Sequence, residues 1–249
     1  MAREGGMMAG LESEIVDAID DEYTSAQVLT GDADDRLSVP VNWRPILDSD
    51  DPAERCRIAL SLWSPQFLDK LPKFSILLPE RLADVRVLRI RTGGEAPAEH
   101  IVLAYAAGHN ADGELILWIG HDPANFADTV PKYFETVPQA ARDFLQQTHA
   151  GFTSEDMESY GLMPPRDMQT LAESVGAPPD EGWQVGYSGI QINSTRLLWL
   201  TRDSGELLYC TSPDLPAETM ALVYEGDIDV PPPQFWTALD KILVERWDE

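Results

Sequence analysis

The sequence predicts an α+β protein with a mostly antiparallel central sheet and helices packed around it. Segments of strand composition follow one another through tight turns rather than helical crossovers, and such connections join antiparallel neighbours. Segments with apolar residues at helical spacing lie before, between and after these strand groups. Hydrophobic residues make up 43% of the chain and charged residues 24%, which is typical of a folded globular protein.

Residues 1–80 are predicted to form an N-terminal helical and irregular region. Apolar residues at helical spacing, with acidic residues on the other face, predict a helix over Leu11–Ala26. Asp51 and Pro52 predict the start of a second helix that runs to Leu62, because Asp is a preferred N-cap and Pro suits the first helical position. Three prolines between residues 65 and 79 then divide the chain into short pieces.

Residues 81–249 are predicted to form an α+β domain, although the whole chain could also be one continuous domain. Three runs of strand composition, Val85–Thr92, Ile101–Ala107 and Leu115–Gly120, are separated by Gly93-Gly94 and by the turn Asn110–Gly113. We therefore predict a three-stranded antiparallel meander.

Helices and a second group of strands follow the meander. A helix is predicted over Pro131–Thr148, kinked or restarted at Pro138, and a short one over Met168–Val175. A last helix is predicted over Gln234–Trp247. The predicted strands between these helices are Gln184–Tyr187, Ile190–Ile192, Arg196–Thr201, Glu206–Thr211 and Leu222–Tyr224.

The charge of the chain restricts its partners. The sequence has 43 Asp and Glu residues against 18 Lys and Arg residues, a formal net charge of −25. Acidic stretches occur along the whole length, so the excess is not confined to a tail. Nucleic acids and anionic membrane surfaces would be repelled, whereas a basic protein or a multivalent cation would be attracted.

We expect a cytoplasmic protein. No apolar run approaches the roughly 18 residues that would cross a bilayer, and the N-terminus does not resemble a secretory signal. Cys56 and Cys210 are far apart in the sequence and are interpreted as two independent thiols in a reducing compartment.

No motif indicates catalysis or a cofactor. The chain has no nucleophile elbow, phosphate-binding loop, HExxH or CxxC pattern, so we predict no catalytic residue and no cofactor. Three of the four histidines fall near strand ends, where Asp112 or Asp122 could complete a metal site. Because the spacing is not that of zinc sites, we predict no metal and expect exposed strand-end histidines instead. The four are His100, His109, His121 and His149.

The aromatic residues divide into two groups. Those that alternate within strands are predicted to lie in the core, and they include Trp118, Trp199 and Tyr105. Others lie near turns and helix starts, where aromatic side chains often face a partner: Trp183, Tyr187 and Trp236. An acidic surface with a few rigid aromatic side chains is typical of a face that binds a basic protein.

The part of the chain from about residue 130 to 249 carries a recognisable pattern. Val137-Pro138, Phe144-Leu145 and His149-Ala150-Gly151 lie in order along one predicted helix, and a last helix starts with Phe235-Trp236 after the acidic, proline-containing segment Asp227–Pro233. This pattern resembles the SUKH superfamily. Two departures from the usual residues are also found in the helix: Ala141 instead of Tyr, and His149-Ala150 instead of Asn-Gly.

The resemblance implies an α+β fold and a function. Many bacterial members of the superfamily are immunity proteins that bind and block a toxin, frequently a nuclease or a deaminase. Because toxins that act on nucleic acids have basic clefts, the acidic charge of this chain favours the same function.

The sequence therefore predicts a non-enzymatic, acidic immunity protein that covers the active site of a cognate basic toxin. The predicted toxin-binding residues are acids at turns together with two aromatic residues: Asp112, Asp122, Trp183, Tyr187, Asp203, Glu206, Glu225, Asp227 and Asp229. An adaptor or scaffold module is the alternative, followed by a hydrolase that uses a pair of carboxylates.

Overall fold

A computed structural model describes residues 4–20, 24–93, 98–126, 130–178, 181–187, 190–228 and 231–247. The α-helices in these residues are α1 (Glu4–Ile19), α2 (Ala33–Ser38), α3 (Arg44–Leu47), α4 (Pro52–Ser61), α5 (Pro65–Leu68), α6 (Phe74–Arg81), α7 (Gln139–Gln147), α8 (Leu171–Ser174) and α9 (Phe235–Glu245). The strands are β1 (Thr24–Val28), β2 (Asp84–Thr92), β3 (Ala98–His109), β4 (Leu115–His121), β5 (Phe152–Thr153), β6 (Gln184–Tyr187), β7 (Ile190–Asn193), β8 (Leu198–Arg202), β9 (Leu208–Thr211), β10 (Ala221–Tyr224) and β11 (Asp227–Ile228).

The strands form two sheets, and the fold is α+β as predicted. The first sheet has the order β1-β2-β3-β4-β5, and every neighbouring pair is antiparallel. Its three central strands are the predicted meander. The second sheet has the order β7-β6-β11-β10-β9-β8 and is antiparallel except between β6 and β11. The predicted strands of the second group correspond to β6 through β10.

The predicted helix over Leu11–Ala26 is wrong in its second half. Helix α1 ends at Ile19, and Thr24–Val28 forms a strand that pairs along the edge of β2. A helical pattern in the sequence reports only on local spacing, whereas this strand pairs with residues that come about sixty positions later in the chain. The backbone N–H of Ala26 also donates to the carboxylate of Asp20, the residue after α1, which ties the end of this helix to the edge strand.

Both faces of the first sheet are buried. Alternate residues of the strands point to opposite sides, so Leu103 and Tyr105 join the main core whereas Val102 and Ala104 lie on the other face. Helix α1 packs on that other face through Ile15 and other apolar side chains. Because both faces are buried, the sequences of these strands are almost continuously apolar.

The main core is rich in aromatic side chains from distant parts of the chain. Trp63 packs edge-on against Phe152, with ring centroids 4.9 Å apart, and Phe67 stacks on Phe144 at 4.1 Å. The same hydrophobic cluster also includes apolar residues of β8, β9 and α9. The division at residues 80 and 81 stays a prediction, and buried residues of both segments belong to this one cluster.

Several helices begin and end close to their predicted positions. Helix α4 starts at Pro52, and the Asp51 carboxylate accepts a hydrogen bond from the backbone N–H of Ala53 at 3.0 Å. The segment predicted as a helix over Pro131–Thr148 contains a short 3₁₀ turn and then α7, which starts after Pro138. The proline therefore restarts the helix, since it cannot donate a backbone hydrogen bond within one.

Two further observations concern the described part of the chain as a whole. Each helix in it is too short or too polar to cross a lipid bilayer. Cys56 and Cys210 are both free and buried, in agreement with their interpretation as independent thiols.

Candidate protein-binding cleft

The second sheet carries a cleft of about 470 Å³ beside the turns at its edge. Helix α8, the segment before β6, the β8–β9 hairpin and the β10–β11 turn contribute to its walls. The lining residues are Leu171, Ser174, Val175, Trp183, Trp199, Arg202, Glu206, Leu208, Val223, Tyr224, Glu225 and Gly226.

The cleft has an apolar floor and aromatic walls. Leu171 and Val223 form the floor, and both are buried in the small hydrophobic cluster of the second sheet. Trp183 is 40% exposed and Tyr224 is 52% exposed, and both line the cleft. Large exposed aromatic side chains around an apolar floor are typical of a surface that a partner covers.

Hydrogen bonds fix the backbone that carries Trp183. Its N–H donates to the hydroxyl of Ser194 at 3.0 Å, and the N–H of Ser194 donates back to the carbonyl oxygen of Trp183 at 2.8 Å. Ser194 itself is buried. The exposed indole therefore projects from a segment that is anchored to the end of β7 rather than from a free loop.

Two glutamates of the cleft have left-handed backbone conformations. Glu206 has φ 62° in the β8–β9 hairpin, and Glu225 has φ 48° in the β10–β11 turn, where Gly226 follows with φ 90°. Two successive positive φ values define a turn that favours Asn-Gly, because most other side chains are strained in it. Strained residues cluster at binding sites more often than elsewhere, since selection for stability alone would remove them.

A second, smaller cleft of about 250 Å³ lies between the β8–β9 hairpin and the loop after β5, and it shares Arg202 and Glu206 with the first. Its cationic side chains are bound by carboxylates of the loop 154–158. Arg202 lies 3.2 Å from Glu158, and Arg246 lies 2.6 Å from Glu155. The positive charges near the clefts are thus neutralised within the chain.

Asp156 organises the loop beside the second cleft. Burial raises the pKa of its carboxyl group. Hydrogen bonds from the backbone N–H groups of Glu158 and Ser159 and from the hydroxyls of Ser154 and Ser159 outweigh that effect and hold the pKa below its ordinary value. Asp156 is therefore an ionised structural group, and it cannot serve as a general acid near neutral pH.

The structure brings four of the nine predicted binding residues to these two clefts. Trp183, Glu206 and Glu225 line the first cleft, and Asp203 and Glu206 line the second. The Asp203 carboxylate also accepts a hydrogen bond from the backbone N–H of Leu207 at 2.9 Å, so it closes the hairpin turn.

Three other predicted residues lie nearby in the sequence or outside the described residues. Asp227 is exposed and begins β11 directly after the Glu225-Gly226 turn. Tyr187 ends β6, where it pairs with Ile190 of β7. Asp229 falls outside the described residues.

Asp112 and Asp122 lie elsewhere and line neither cleft. They flank the two ends of β4 in the first sheet, and its seven residues of extended backbone separate them by about 23 Å. Asp122 caps a short 3₁₀ helix, where its carboxylate accepts from the N–H of Ala124 at 2.9 Å. Neither residue therefore belongs to the candidate cleft of the second sheet, and their part in binding stays a prediction.

Among the exposed wall residues, sequence reasoning missed Tyr224 and Val175, and it misplaced one aromatic residue. Tyr224 precedes the Glu225-Gly226 turn, and Val175 precedes Gly176 at the end of α8, so their positions next to turns were the available signal. Trp236, expected to face a partner, packs partly buried against the main core.

The expectation that the strand-end histidines are exposed is wrong for His121, which is fully buried, and His149, which follows α7, is fully buried as well. The indole N–H of Trp63 donates to the Tyr105 hydroxyl at 3.3 Å, and this hydroxyl donates to Nε2 of His149 at 2.7 Å. His149 Nδ1–H donates to the carbonyl oxygen of His121 at 3.3 Å. The imidazole packs against β4 at Gly120, where a Cβ atom would lie 2.6 Å from the ring.

Burial sets the protonation of these two histidines. It lowers the pKa of each to about 3, so both imidazoles are neutral at physiological pH. Burial also raises the pKa of the Tyr105 hydroxyl, which therefore stays protonated and can donate to His149. Among the residues that the structure describes, no group of three or more His, Cys, Asp and Glu side chains could hold a metal ion.

Comparisons with known proteins add no relative. No protein family, curated protein or solved structure matches the chain.

Proposed function

We propose that the protein is a non-enzymatic acidic inhibitor that binds a basic protein through the cleft of the second sheet, as an immunity protein does with its toxin. The observation that carries the proposal is the cleft itself. Exposed aromatic side chains and the glutamates Glu206 and Glu225 share its walls, while its cationic residue Arg202 is paired with the loop carboxylates Asp156 and Glu158. The resemblance to the SUKH superfamily supplies the class of inhibitor.

The charge of the whole chain supports the same function. Within the described residues, most Lys and Arg side chains form ion pairs with carboxylates. The 43 acidic residues of the sequence outnumber its 18 Lys and Arg residues, which gives the net charge of −25. The resulting field attracts a cationic partner over roughly a Debye length of about 10 Å at 0.1 M salt. The same field disfavours nucleic acids and anionic membranes.

A cytoplasmic location belongs to the proposal. Two buried free thiols are compatible with a reducing compartment, where a toxin that acts on nucleic acid would have to be neutralised.

The test is calorimetric titration of the protein encoded by the adjacent gene into this chain at low and at high salt. We expect a one-to-one complex that weakens as salt rises, and loss of the partner's own activity in the complex. Absence of a complex with a toxin-like neighbour at low salt would remove the proposal. A complex in which the partner keeps its activity would instead favour the adaptor.

Two double variants of equal charge test whether the partner binds at the cleft. E206Q/E225Q removes two carboxylates from the cleft, and D112N/D122N removes two from the ends of β4, so both change the net charge equally. We expect at least about tenfold weaker binding for the cleft pair than for the control pair. Equal weakening would mean that the net charge, and not the cleft, determines binding.

A further inference from the structure

We propose that the cleft between Trp183 and the Glu225 turn is a pocket for a single arginine side chain of the partner protein. This inference rests on the proposed function and specifies the group that the partner inserts.

The walls of the cleft match the parts of an arginine side chain. Leu171, Leu208 and Val223 supply an apolar surface for the methylene groups, which long cationic side chains bury while their charged ends stay polar. The exposed rings of Trp183 and Tyr224 supply aromatic faces. A planar guanidinium stacks on such faces and is attracted by their π-electrons.

The two glutamates match the charged end. Carboxylates bind a guanidinium through two parallel hydrogen bonds, which a compact ammonium group cannot form. Glu206 and Glu225 reach the cleft from two different turns. Neither forms an ion pair with a Lys, Arg or His side chain of the described residues.

The residue that could have filled this role from within the chain is bound elsewhere. Arg202 lines the cleft, but its guanidinium lies 3.2 Å from Glu158 and 3.6 Å from Asp156, on the side of the second cleft. As far as the structure describes the chain, the two cleft glutamates are therefore left for a cation from outside. The indole N–H of Trp199 is also satisfied internally, since it donates to the carbonyl oxygen of Thr201 at 2.8 Å. The two ionised carboxylates of the cleft can only accept hydrogen bonds, which fits a donor-only group such as guanidinium.

The size of the cleft is consistent with one inserted side chain and adjacent backbone. Its volume of about 470 Å³ is within the roughly 300–1,000 Å³ of pockets that hold small ligands. A partner that inserts one anchor here and covers the surrounding acidic rim would use the interface arrangement of a central buried residue within a polar border.

The experiment uses the full chain and a blocked tripeptide, acetyl-Gly-Arg-Gly-amide, followed by NMR of backbone amides and tryptophan indoles. We expect saturable shifts at the Trp183 indole and at the Glu225 and Gly226 amides, with the indole signal assigned through W183F. The same peptide with citrulline keeps the shape of arginine but has no charge, and it should bind at least about tenfold more weakly.

Two further comparisons make the assignment specific. The lysine tripeptide should bind more weakly than the arginine peptide; equal binding would indicate a general cation site and would overturn the inference. E206Q/E225Q should lose the shifts, whereas D112N/D122N, which has the same net charge, should keep them. Shifts spread evenly over acidic residues of both sheets, or no saturable shift at Trp183, would also overturn it.

The outcomes separate this inference from the proposed function. If the partner protein binds and is inhibited while the arginine peptide leaves Trp183 unchanged, the arginine pocket is wrong and the inhibitor stands. If the peptide binds in the cleft while no basic neighbouring protein forms a complex, the pocket stands and the proposed function is wrong.

Discussion

Arg55 and Asp84 form an ion pair that is 2% exposed on both sides and links α4 to β2. Two hydrogen bonds of 2.7 Å join the guanidinium to the two carboxylate oxygens, and Arg86 contacts the same carboxylate at 2.8 Å. Removal of one member of such a pair strongly destabilises a protein, because the other member is left as an unpaired buried charge.

We therefore expect D84A to lower the free energy of unfolding by about 3–5 kcal/mol in urea titrations. E54A is the matched control, since Glu54 pairs with Arg57 on the exposed face of the same helix and should contribute no measurable stability. Equal effects of the two substitutions would contradict the assignment of a structural role to the buried pair.

A second prediction concerns the backbone conformation of Glu225. Its φ of 48° precedes that of Gly226 at 90°, a turn in which Asn is better tolerated than Glu. E225N should raise the free energy of unfolding by roughly 0.5–1 kcal/mol, because the strain of a non-glycine left-handed residue is relieved.

The stability gain of E225N should be accompanied by weaker binding of the basic partner. D227N removes the same charge from the extended strand β11 and serves as its control, with no gain in stability expected. A midpoint of unfolding for E225N at or below that of D227N would show that the turn is not strained.

Helix α6 depends on another element for its N-terminal cap. The Asp240 carboxylate of α9 accepts hydrogen bonds from the backbone N–H groups of Lys73 at 3.2 Å and Phe74 at 2.9 Å. Asp240 and Phe74 are both buried, so removal of the carboxylate would leave the helical N–H of Phe74 without a partner in the interior.

D240A should therefore destabilise the protein by about 1–3 kcal/mol, as measured by thermal or urea unfolding. E245A, which removes a carboxylate paired with Lys241 on the solvent side of α9, is the control. If D240A behaves like E245A, the long-range cap contributes nothing.

The same contrast between local and distant contacts explains which elements the sequence reveals. The meander could be predicted because the Asn110–Gly113 turn is encoded locally: the Asn110 side chain accepts from the N–H groups of Asp112 and Glu114. Strand β1 could not be predicted, because its pairing with β2 is set by a distant edge. The parallel contact of β11 with β6 depends on the three-dimensional fold in the same way.

Acid should weaken the whole molecule through His121 and His149. Both have a pKa near 3 when folded, against an ordinary value of 6.5, because burial disfavours the charged ring. Below pH 6.5 the unfolded chain takes up protons that the folded chain does not, so this contribution is fully present above pH 6.5 and is lost as the pH falls toward 3. Each histidine should cost about 2 kcal/mol of stability at pH 5, measured by urea unfolding across that range.

H121L tests the pH prediction. His100 and Arg166 add positive charge around His121, and its ring nitrogens have no hydrogen-bond partner among the described residues. Leucine removes the titrating group without breaking a hydrogen bond. The loss of stability between pH 6.5 and 5 should fall by about half of the part due to the two histidines. An unchanged slope would show that another group is responsible.

The candidate site could be predicted only in part, for a physical reason. Residue type and position next to a turn identified Trp183, Glu206 and Glu225, because turns expose side chains. The same two criteria also selected Asp112, which is exposed but belongs to a turn of the first sheet. Which turns meet is decided by the assembly of the sheets, and the one-dimensional pattern of acids carries no information on it.

The reactivity of the two buried thiols reports on local opening of the fold. Cys56 lies in the main core and Cys210 in the small cluster of the second sheet, and burial raises the pKa of Cys56 to about 12 and also raises that of Cys210. An alkylating reagent reacts with thiolate, so neither sulfur is modified until its own surroundings open. The alkylation rate of Cys56 therefore measures local opening of the main core, and that of Cys210 measures local opening of the second sheet. A partner bound to the second sheet should slow the alkylation of Cys210 selectively.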